Sequence, residues 1–227
     1  MTKKNTILIA TGGTGGHVFP AYSLANHFIK NNYNVKITID NRGLKYLKNH
    51  ENFDLIKIPS SPLIKKNILK FLFSLFVVFS SILRSLIFLS FNRPSVVFGM
   101  GGYSSFPVCI ASAILRIKFV IYENNLIIGK ANKYLLPFAK KIFVSYKDLE
   151  GIPNKYDKKV CLIGNLIRQE IINFYETKKD NDNLFLVTQL KYDFKPVLFY
   201  DLDNNNIYFK NKSYEITPQM GYDPRYK

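Results

Sequence analysis

Short apolar segments recur along the first three-quarters of this chain, and helix-length stretches separate them. Continuous apolar runs of this kind are typical of parallel strands buried on both faces of a sheet. The sequence predicts seven strands: Thr6–Ala10, Asn34–Ile39, Asp54–Ile58, Val96–Phe98, Lys118–Tyr122, Lys141–Ser145 and Val160–Ile163. Because strands that alternate with helices form βαβ units, we expect an α/β fold with a Rossmann-like, doubly wound parallel sheet.

The chain changes character after Tyr175. The polar stretch ETKKDNDN is typical of a linker, and the apolar segments beyond it are interrupted by Asp, Asn and Pro. These segments, LFLVTQL, KPVLFYD and NIYFKNKSYEI, favour a few antiparallel strands with an Asn-rich turn at Asp203–Asn206. We therefore expect one domain over residues 1–175 and a linker with a small β-rich tail over residues 176–227.

The chain is strongly basic, with a formal net charge of +16. Such an excess favours anionic partners, which are nucleic acid, an anionic membrane face or phosphorylated substrates. An abundance of Lys, Asn and Ile in the chain as a whole, as from an AT-rich genome, would explain the same charge. Because no nucleic-acid-binding motif is present, nucleic acid is not expected as a partner.

One stretch, Ile68–Phe91, is far more apolar than the others. Its longest part without a charged residue, Phe71–Leu83, is shorter than the roughly 18 residues that a membrane span requires. Lys70 and Arg84 bracket that part, and it falls where the fold needs a crossover helix. We expect a helix whose outer face rests on an anionic membrane surface, with a core helix and a true span as the alternatives.

The first predicted strand leads into a glycine-rich turn, TGGTGGHVFP. This is not the G-x-G-x-x-G dinucleotide fingerprint, because Val18 occupies the last glycine position. Glycines permit positive φ and let a ligand approach the main chain, and the N–H groups at the start of the next helix favour an anion. A tight strand–helix turn is the structural alternative, but it needs one or two glycines, whereas this turn has four: Gly12, Gly13, Gly15 and Gly16.

A second glycine turn, GMGGYSS, follows another predicted strand. It contains Gly99, Gly101 and Gly102, and the hydroxyl groups of the residues after them can donate hydrogen bonds or cap a helix. Both turns are expected at the carboxyl edge of one sheet. Together they predict a ligand that carries more than one phosphate.

Three further positions favour polar chemistry at the same edge. His17 could act as a general base near neutral pH, or it could hydrogen-bond its own loop. Glu123 and the asparagines after it could fix sugar hydroxyls, or they could form an Asx-type turn. Arg168, after the last predicted strand, could pair with a phosphate or a carboxylate.

The motifs GGTGGHVFPA, GMGGYSSFP, YENN–x–x–x–GKANK and IGNLIR occur in the order and spacing of one family. Over about Lys4–Ile172 the chain resembles glycosyltransferase family 28, the MurG-type peptidoglycan glycosyltransferases. These enzymes move N-acetylglucosamine (GlcNAc) from UDP-GlcNAc to lipid I, a polyprenyl diphosphate-linked sugar. The resemblance implies a GT-B fold of which this chain supplies the N-terminal, acceptor-side half. It also implies transfer with inversion, no metal or other cofactor, and a peripheral location at the cytoplasmic face of the plasma membrane.

The resemblance also implies roles for particular residues. His17 matches the family's proposed catalytic base. The positions that match substrate contacts are Gly13, Thr14, Gly15, Gly16, Gly101, Gly102, Tyr103, Glu123, Asn125 and Arg168. Two motifs depart from the family pattern, because its usual HEQN is YENN here and its GNPVR is GNLIR.

A second Rossmann-like domain with its own glycine loop for the donor should follow, and it is not found. No glycine occurs between Gly164 and Gly221, so we expect no transfer by this chain alone. The chain would be a truncated or frameshifted product, or one member of a pair with a separate donor-domain chain. A non-catalytic module that binds polyprenyl diphosphate-linked sugars is the alternative, and an epimerase is disfavoured by the missing G-x-G-x-x-G fingerprint.

Overall fold

The computed structural model describes residues 6–47, 53–61 and 68–166, together with the backbone of four short strands nearer the C-terminus. The chain divides into two compact units, Met1–Arg168 and Gln169–Lys227. Residues around the predicted domain boundary after residue 175 lie outside the described residues, as do Arg168 and the basic residues Lys65 and Lys66.

The first unit contains the predicted parallel sheet. Its strands run in the order β3-β2-β1-β4-β5-β6-β7, and every pair is parallel. Each strand boundary lies within one residue of its predicted position, so the α/β prediction is confirmed. The strands are β1 Thr6–Ala10, β2 Asn34–Ile39, β3 Asp54–Lys57, β4 Val96–Gly99, β5 Phe119–Glu123, β6 Lys141–Val144 and β7 Val160–Leu162.

Helices connect these strands. They are α1 Gly15–Lys30, α2 Asn41–Leu44, α3 Ile68–Asn92, α4 Gly102–Ile114 and α5 Lys130–Leu135, and a 3₁₀ helix covers Asn154–Lys159. The helix predicted from Val18 begins at Gly15, so two of the four loop glycines belong to its first turn. The short helices α2 and α5 were not predicted, because four to six residues are too few for a helical period to show.

The two faces of the sheet carry separate apolar clusters. Alternate residues of β1 point to opposite faces, so Leu8 packs in one cluster and Ile9 in the other. The Ile9 cluster includes Val18 of α1, whereas the Leu8 cluster includes Leu89 of α3 and Val108 of α4. Helices therefore cover both faces, and the chain direction along the sheet reverses between β1 and β4. In open α/β sheets ligands bind at such a switch point, outside the carboxyl ends of the strands.

Helix α3 has three serine side chains turned inward. Ser74, Ser81 and Ser85 are buried, and the Ser81 hydroxyl oxygen lies 2.7 Å from the carbonyl oxygens of both Pro59 and Val77, which share its one hydrogen. Large apolar side chains cover the opposite face and are exposed: Leu72, Phe73, Leu75, Phe76, Phe79, Leu83 and Ile87. With 25 residues, α3 is the one described helix that is long and apolar enough to cross a membrane.

The second unit contains an antiparallel sheet of four strands in the order β11-β10-β9-β8. These strands are β8 Leu184–Val187, β9 Leu198–Asp201, β10 Asn206–Phe209 and β11 Lys212–Glu215. The predicted β-rich character of the tail is therefore confirmed, and NIYFKNKSYEI contains two of these strands, β10 and β11. Asn206 begins β10, and the rest of the predicted Asn-rich turn lies outside the described residues.

Candidate functional site

The two glycine turns meet at the switch point of the sheet. They follow the neighbouring strands β1 and β4, and the Met100 amide donates to the Ala10 carbonyl oxygen at 2.9 Å. A Cβ added to Gly102 would lie 3.6 Å from the carbonyl oxygen of Gly12, so the turns are in close contact. We call residues Gly12–Gly16 the first loop and Met100–Tyr103 the second loop.

A buried carboxylate supports the first loop. Asp40, directly after β2, has 3% of its side chain exposed. Its Oδ1 accepts hydrogen bonds from the amides of Gly13 and Gly43, both at 2.8 Å, and its Oδ2 accepts from the Ser60 hydroxyl at 2.6 Å. The amide of Gly13, one of the predicted substrate contacts, is therefore already bound to Asp40 and is not open to an anion.

Asp40 is ionised under all ordinary conditions. Burial by itself would raise the pKa of this carboxyl, but hydrogen bonds from Ser60, Gly13, Gly43 and Ser104 outweigh it and lower the pKa to about 2. Asp40 is not among the site residues predicted from the sequence. An acidic side chain at the end of the second strand, in NVKITIDNRG, is the signal that could have identified it.

The same group of residues fixes the position of Gly12. Its φ is +146°, and a Cβ would lie 2.5 Å from the Ser104 hydroxyl oxygen and 2.6 Å from Asp40 Oδ1. Contacts that short are not tolerated, so only glycine fits there. Gly13, with a φ of +79°, has room for a Cβ, which would meet Nη2 of Arg42 at an ordinary contact distance of 3.7 Å.

His17 lies between the two loops. A Cβ on Gly101 would be 3.0 Å from Cε1 and Nδ1 of the imidazole, and one on Gly102 would be 3.1 Å from Cδ2. These glycines, with φ of +87° and +74°, are therefore required by the backbone and by the ring packed against them. The second loop thus holds the histidine of the first.

The imidazole of His17 is neutral at physiological pH. Burial lowers its pKa, while the negative charge of Glu123 acts in the opposite direction. Nδ1 is buried and makes no hydrogen bond to the first loop within the described residues, so the alternative of a ring bonded to its own loop is not supported. A neutral, half-buried imidazole can accept a proton from a ligand hydroxyl.

A proline in α1 connects the first loop to the exit of β5. Pro20 has no N–H, so it cannot donate to the carbonyl oxygen of Gly16 four residues earlier. The side-chain amide of Asn124 donates to that carbonyl oxygen instead, at 2.8 Å. This bond brings the segment after β5 to the start of α1.

Glu123 is buried and holds this segment in place. Its side chain is among the largest fully buried ones, and its oxygens accept from the Asn125 amide at 3.1 Å, the Asn125 side chain at 2.6 Å, the Gly129 amide at 2.8 Å and the Asn132 side chain at 3.0 Å. Neither oxygen is presented to a ligand. Glu123 therefore closes the turn after β5, which was the stated alternative to a sugar contact. Asn125, by contrast, is exposed.

The two departures from the family motifs contact each other. The Tyr122 hydroxyl lies 2.7 Å from the Ser145 hydroxyl and accepts a hydrogen bond from the Leu166 amide at 3.1 Å. A proline at position 166 could not donate this bond, and a histidine at position 122 would place no hydroxyl there. Tyrosine in YENN and the leucine amide in GNLIR are thus joined by a hydrogen bond that needs both departures from the family pattern.

The remaining predicted residues are distributed unevenly. Thr14 and Tyr103 are exposed at the starts of α1 and α4, and the Thr14 side chain makes no capping hydrogen bond. Gly15, Gly16 and Gly102 lie in those first turns, where N–H groups have no acceptor within the helix. The structure thus brings together Gly13, Thr14, Gly15, Gly16, His17, Gly101, Gly102 and Asn125, with Tyr103 at their edge. Arg168 lies outside the described residues.

Comparisons with known proteins agree with this architecture. The glycosyltransferase family 28 N-terminal domain matches residues 7–144. A relative from Pelagibacter ubique (strain HTCC1062), named UDP-N-acetylglucosamine--N-acetylmuramyl-(pentapeptide) pyrophosphoryl-undecaprenol N-acetylglucosamine transferase, is 35% identical over 95% of this chain and 59% of its own length. A relative of the same name from Rickettsia felis (strain ATCC VR-1525 / URRWXCal2) is 36% identical over 80% of this chain and 51% of its own length. The chain thus spans about half the length of these relatives.

Two solved structures share the fold. MurG from Acinetobacter baumannii superposes with a TM-score of 0.56 at 24% identity, covering 66% of this chain and 44% of that one. UDP-GlcNAc 2-epimerase from Methanocaldococcus jannaschii gives 0.52 at 12% identity, covering 77% and 53%. These likenesses show a Rossmann-like half of a GT-B architecture, and the family is shown by sequence. The chain belongs to glycosyltransferase family 28, whose N-terminal domain it contains.

Proposed function

We propose that this chain is the acceptor-binding half of a GlcNAc transferase of peptidoglycan synthesis. Its acceptor would be lipid I, and its donor UDP-GlcNAc, the substrate kinds given by the names of its relatives. The observation that carries this proposal is the meeting of the two glycine loops around a neutral histidine at the switch point of the sheet.

In this proposal His17 is the general base. Its imidazole would accept the proton of the attacking sugar hydroxyl, which is the step that a neutral, partly buried histidine can perform. The acceptor diphosphate would lie against the first turns of α1 and α4, where the amides of Gly15, Gly16 and Gly102 favour negative charge. Thr14, Tyr103 and Asn125 are exposed at the same edge and would supply further contacts.

The remaining predicted residues have supporting roles in the proposed site. Gly13 and Gly101 shape the loops, and Glu123 positions the segment that carries Asn124 and Asn125. Arg168 is retained as a proposed substrate contact. Residues 1–175 would be the acceptor-binding domain.

Transfer would also require a donor-binding region. Because a GT-B site lies in the cleft between two domains, one half positions only one of the two reactants. That region would come from the part of the relatives' length that this chain does not span, in the same or a separate polypeptide.

Helix α3 would place the chain on the cytoplasmic face of the plasma membrane, where lipid I is displayed. Its exposed apolar face includes Phe76, which is 66% exposed, and Lys70 and Arg84 are exposed on the same helix. The inward serines pack against the domain, and Ser81 hydrogen-bonds Pro59. An arrangement with one face on the protein and one on lipid fits a helix lying on a membrane rather than crossing it.

The catalytic proposal can be tested by reconstitution. The chain alone should bind lipid I and show no turnover with UDP-GlcNAc, and adding the separately expressed C-terminal half of the Pelagibacter relative should start transfer. His17→Asn should lower the rate by about 10²–10⁴-fold. His27→Asn, at an exposed histidine of the same helix, is the matched control and should leave it unchanged.

Three outcomes would contradict parts of the proposal. Turnover by the chain alone would refute the half-enzyme interpretation, and failure to bind lipid I would refute the acceptor site. Binding without transfer in the reconstituted mixture would favour the non-catalytic binding module.

The membrane proposal has its own test. Binding to vesicles of anionic phospholipid should weaken with salt and with Phe76→Asp. Phe138→Asp is a matched control, because Phe138 is 59% exposed but lies outside α3. Equal binding by the two variants and the unchanged chain would mean that α3 does not contact the lipid.

A further inference from the structure

The buried Asp40 carboxylate is shared by several segments of the chain. It accepts hydrogen bonds from the first loop through Gly13, from α2 through Gly43 and from the segment after β3 through Ser60. The Ser60 hydroxyl also lies 3.0 Å from the hydroxyl of Ser104 in α4. Amides and hydroxyls thus satisfy this carboxylate almost completely, without any need for a cation.

The positively charged guanidinium of Arg42 nevertheless contacts this carboxylate. Nε of Arg42 donates to Asp40 Oδ2 at 3.1 Å, while Nη2 lies 3.1 Å from the same oxygen as an ion pair and donates to the Ser60 hydroxyl oxygen at 3.3 Å. One edge of the planar guanidinium is therefore fixed by two partners. Within the described residues its other terminal nitrogen, Nη1, makes no hydrogen bond, and 49% of the side chain is exposed. The guanidinium is therefore held through Nε and Nη2, and Nη1 is left to bind a ligand.

The guanidinium also borders the first loop through Nη2. Nη2 is the nearest atom to the space where a Gly13 Cβ would lie, at 3.7 Å. A ligand placed against the start of α1 would therefore be next to a positively charged donor that is already oriented. Because the side chain is held before the ligand arrives, little conformational entropy is lost on binding.

We propose that Arg42 binds a phosphate of the acceptor diphosphate, with Asp40 as the residue that positions it. The inference rests on the proposed function, since it adds a residue to the same site. Arginine suits this role because its N–H groups match the oxygen atoms of a phosphate in a bidentate arrangement. No motif identified in the sequence includes Arg42, because the residues that hold Asp40 and Arg42 in place come from separate segments of the chain.

Titration calorimetry with three probes tests the proposal. Geranyl diphosphate represents the acceptor, inorganic pyrophosphate the shared diphosphate, and UDP the donor. Arg42→Gln should weaken binding of geranyl diphosphate and pyrophosphate by about tenfold, the effect of one charged hydrogen-bonded contact. Arg42→Lys, which keeps the charge and loses the fork, should give an intermediate loss.

The matched control is Arg116→Gln, which removes the same charge at an exposed arginine between α4 and β5. It should bind the probes as the unchanged chain does, and thermal unfolding should show that all variants are folded. If Arg42→Gln unfolds the chain, equal binding by Arg42→Lys and the unchanged chain overturns the proposal.

The outcomes separate this inference from the proposed function. Binding of geranyl diphosphate that is equal in Arg42→Gln and the unchanged chain overturns the role of Arg42 and leaves the acceptor site standing. A loss confined to UDP assigns Arg42 to the donor and overturns it as well. Failure of the unchanged chain to bind either diphosphate refutes the acceptor site itself.

Discussion

The first and second glycine loops are built on one local plan but are held in different ways. Each follows one of the two strands that flank the switch point, and each leads into a helix whose sixth residue is proline, Pro20 in α1 and Pro107 in α4. The Asp40 carboxylate holds the first loop by accepting a hydrogen bond from the Gly13 amide. The His17 ring packs against the second loop and leaves little room for a side chain at Gly101 or Gly102. Similar sequences thus carry out different tasks because their neighbours differ.

The largest expected effect on stability distinguishes Gly12 from Gly13 in the first loop. Gly12→Ala should lower the free energy of unfolding by about 3 kcal/mol or more, because its Cβ meets Ser104 and Asp40 at 2.5 and 2.6 Å. Gly13→Ala should cost about 1 kcal/mol, the backbone strain alone. Urea denaturation measures both, and equal costs would mean that the buried Asp40 group does not fix the loop.

Removing the support behind the first loop should have the next largest effect. Asp40→Asn should cost about 2 kcal/mol at neutral pH, because charged hydrogen bonds are lost and a buried amide replaces the carboxylate.

The pH dependence checks the cause. The folded-state pKa of Asp40 is lowered to about 2, below its ordinary value of 3.8. Its contribution is therefore present above about pH 4 and is lost as the pH falls towards 2. The unchanged chain should lose stability over that interval more steeply than Asp40→Asn, and Ser60→Ala should move the loss to higher pH. Identical acid profiles for all three would contradict this account.

For the second loop, the cost of an added methyl group should depend on His17. Gly101→Ala should destabilise the chain by about 2 kcal/mol, and by about 1 kcal/mol less in a His17→Ala background, because the ring it meets at 3.0 Å is gone. The same cycle with His27→Ala, on the exposed face of α1, should show no coupling. A coupling energy near zero with His17 would mean that the ring does not shape the second loop.

The smallest expected effect concerns the carbonyl group that Pro20 leaves without a helical donor. Asn124→Ala should cost about 1 kcal/mol, because the Gly16 carbonyl oxygen loses its partner. In a Pro20→Ala background this cost should fall, since the new backbone N–H can donate instead. Pro107→Ala changes the equivalent position of α4 and is the control, because it should leave the cost of Asn124→Ala unchanged. A lower cost in the Pro107→Ala background would mean that Asn124 does not specifically replace the N–H that Pro20 lacks.

The order of strands and helices could be predicted because its signals are local. Short apolar runs mark the strands, and glycines at their ends mark the turns, within windows of a few residues. The outward apolar face of α3 was also expected from composition. The inward position of its serines was not expected. Their partners come from other segments, such as the Pro59 carbonyl group that Ser81 contacts.

The support of the candidate site could not be predicted in the same way. Asp40 and Gly13 are 27 residues apart, and Tyr122 and Leu166 are 44 apart, so no local window contains both partners. Glu123 shows the same limit, since its position after a strand favours a ligand contact, whereas the turn that closes over it consumes its oxygens.

By itself the sequence determined that this chain forms a doubly wound α/β sheet with two glycine loops and a histidine at its carboxyl edge. Only the tertiary structure decided which loop amides are already occupied, that His17 lies against the second loop and that Arg42 borders the first. The reason is physical. Backbone conformation follows from neighbours along the chain, whereas hydrogen-bond partners are chosen by strands and helices that meet only after folding.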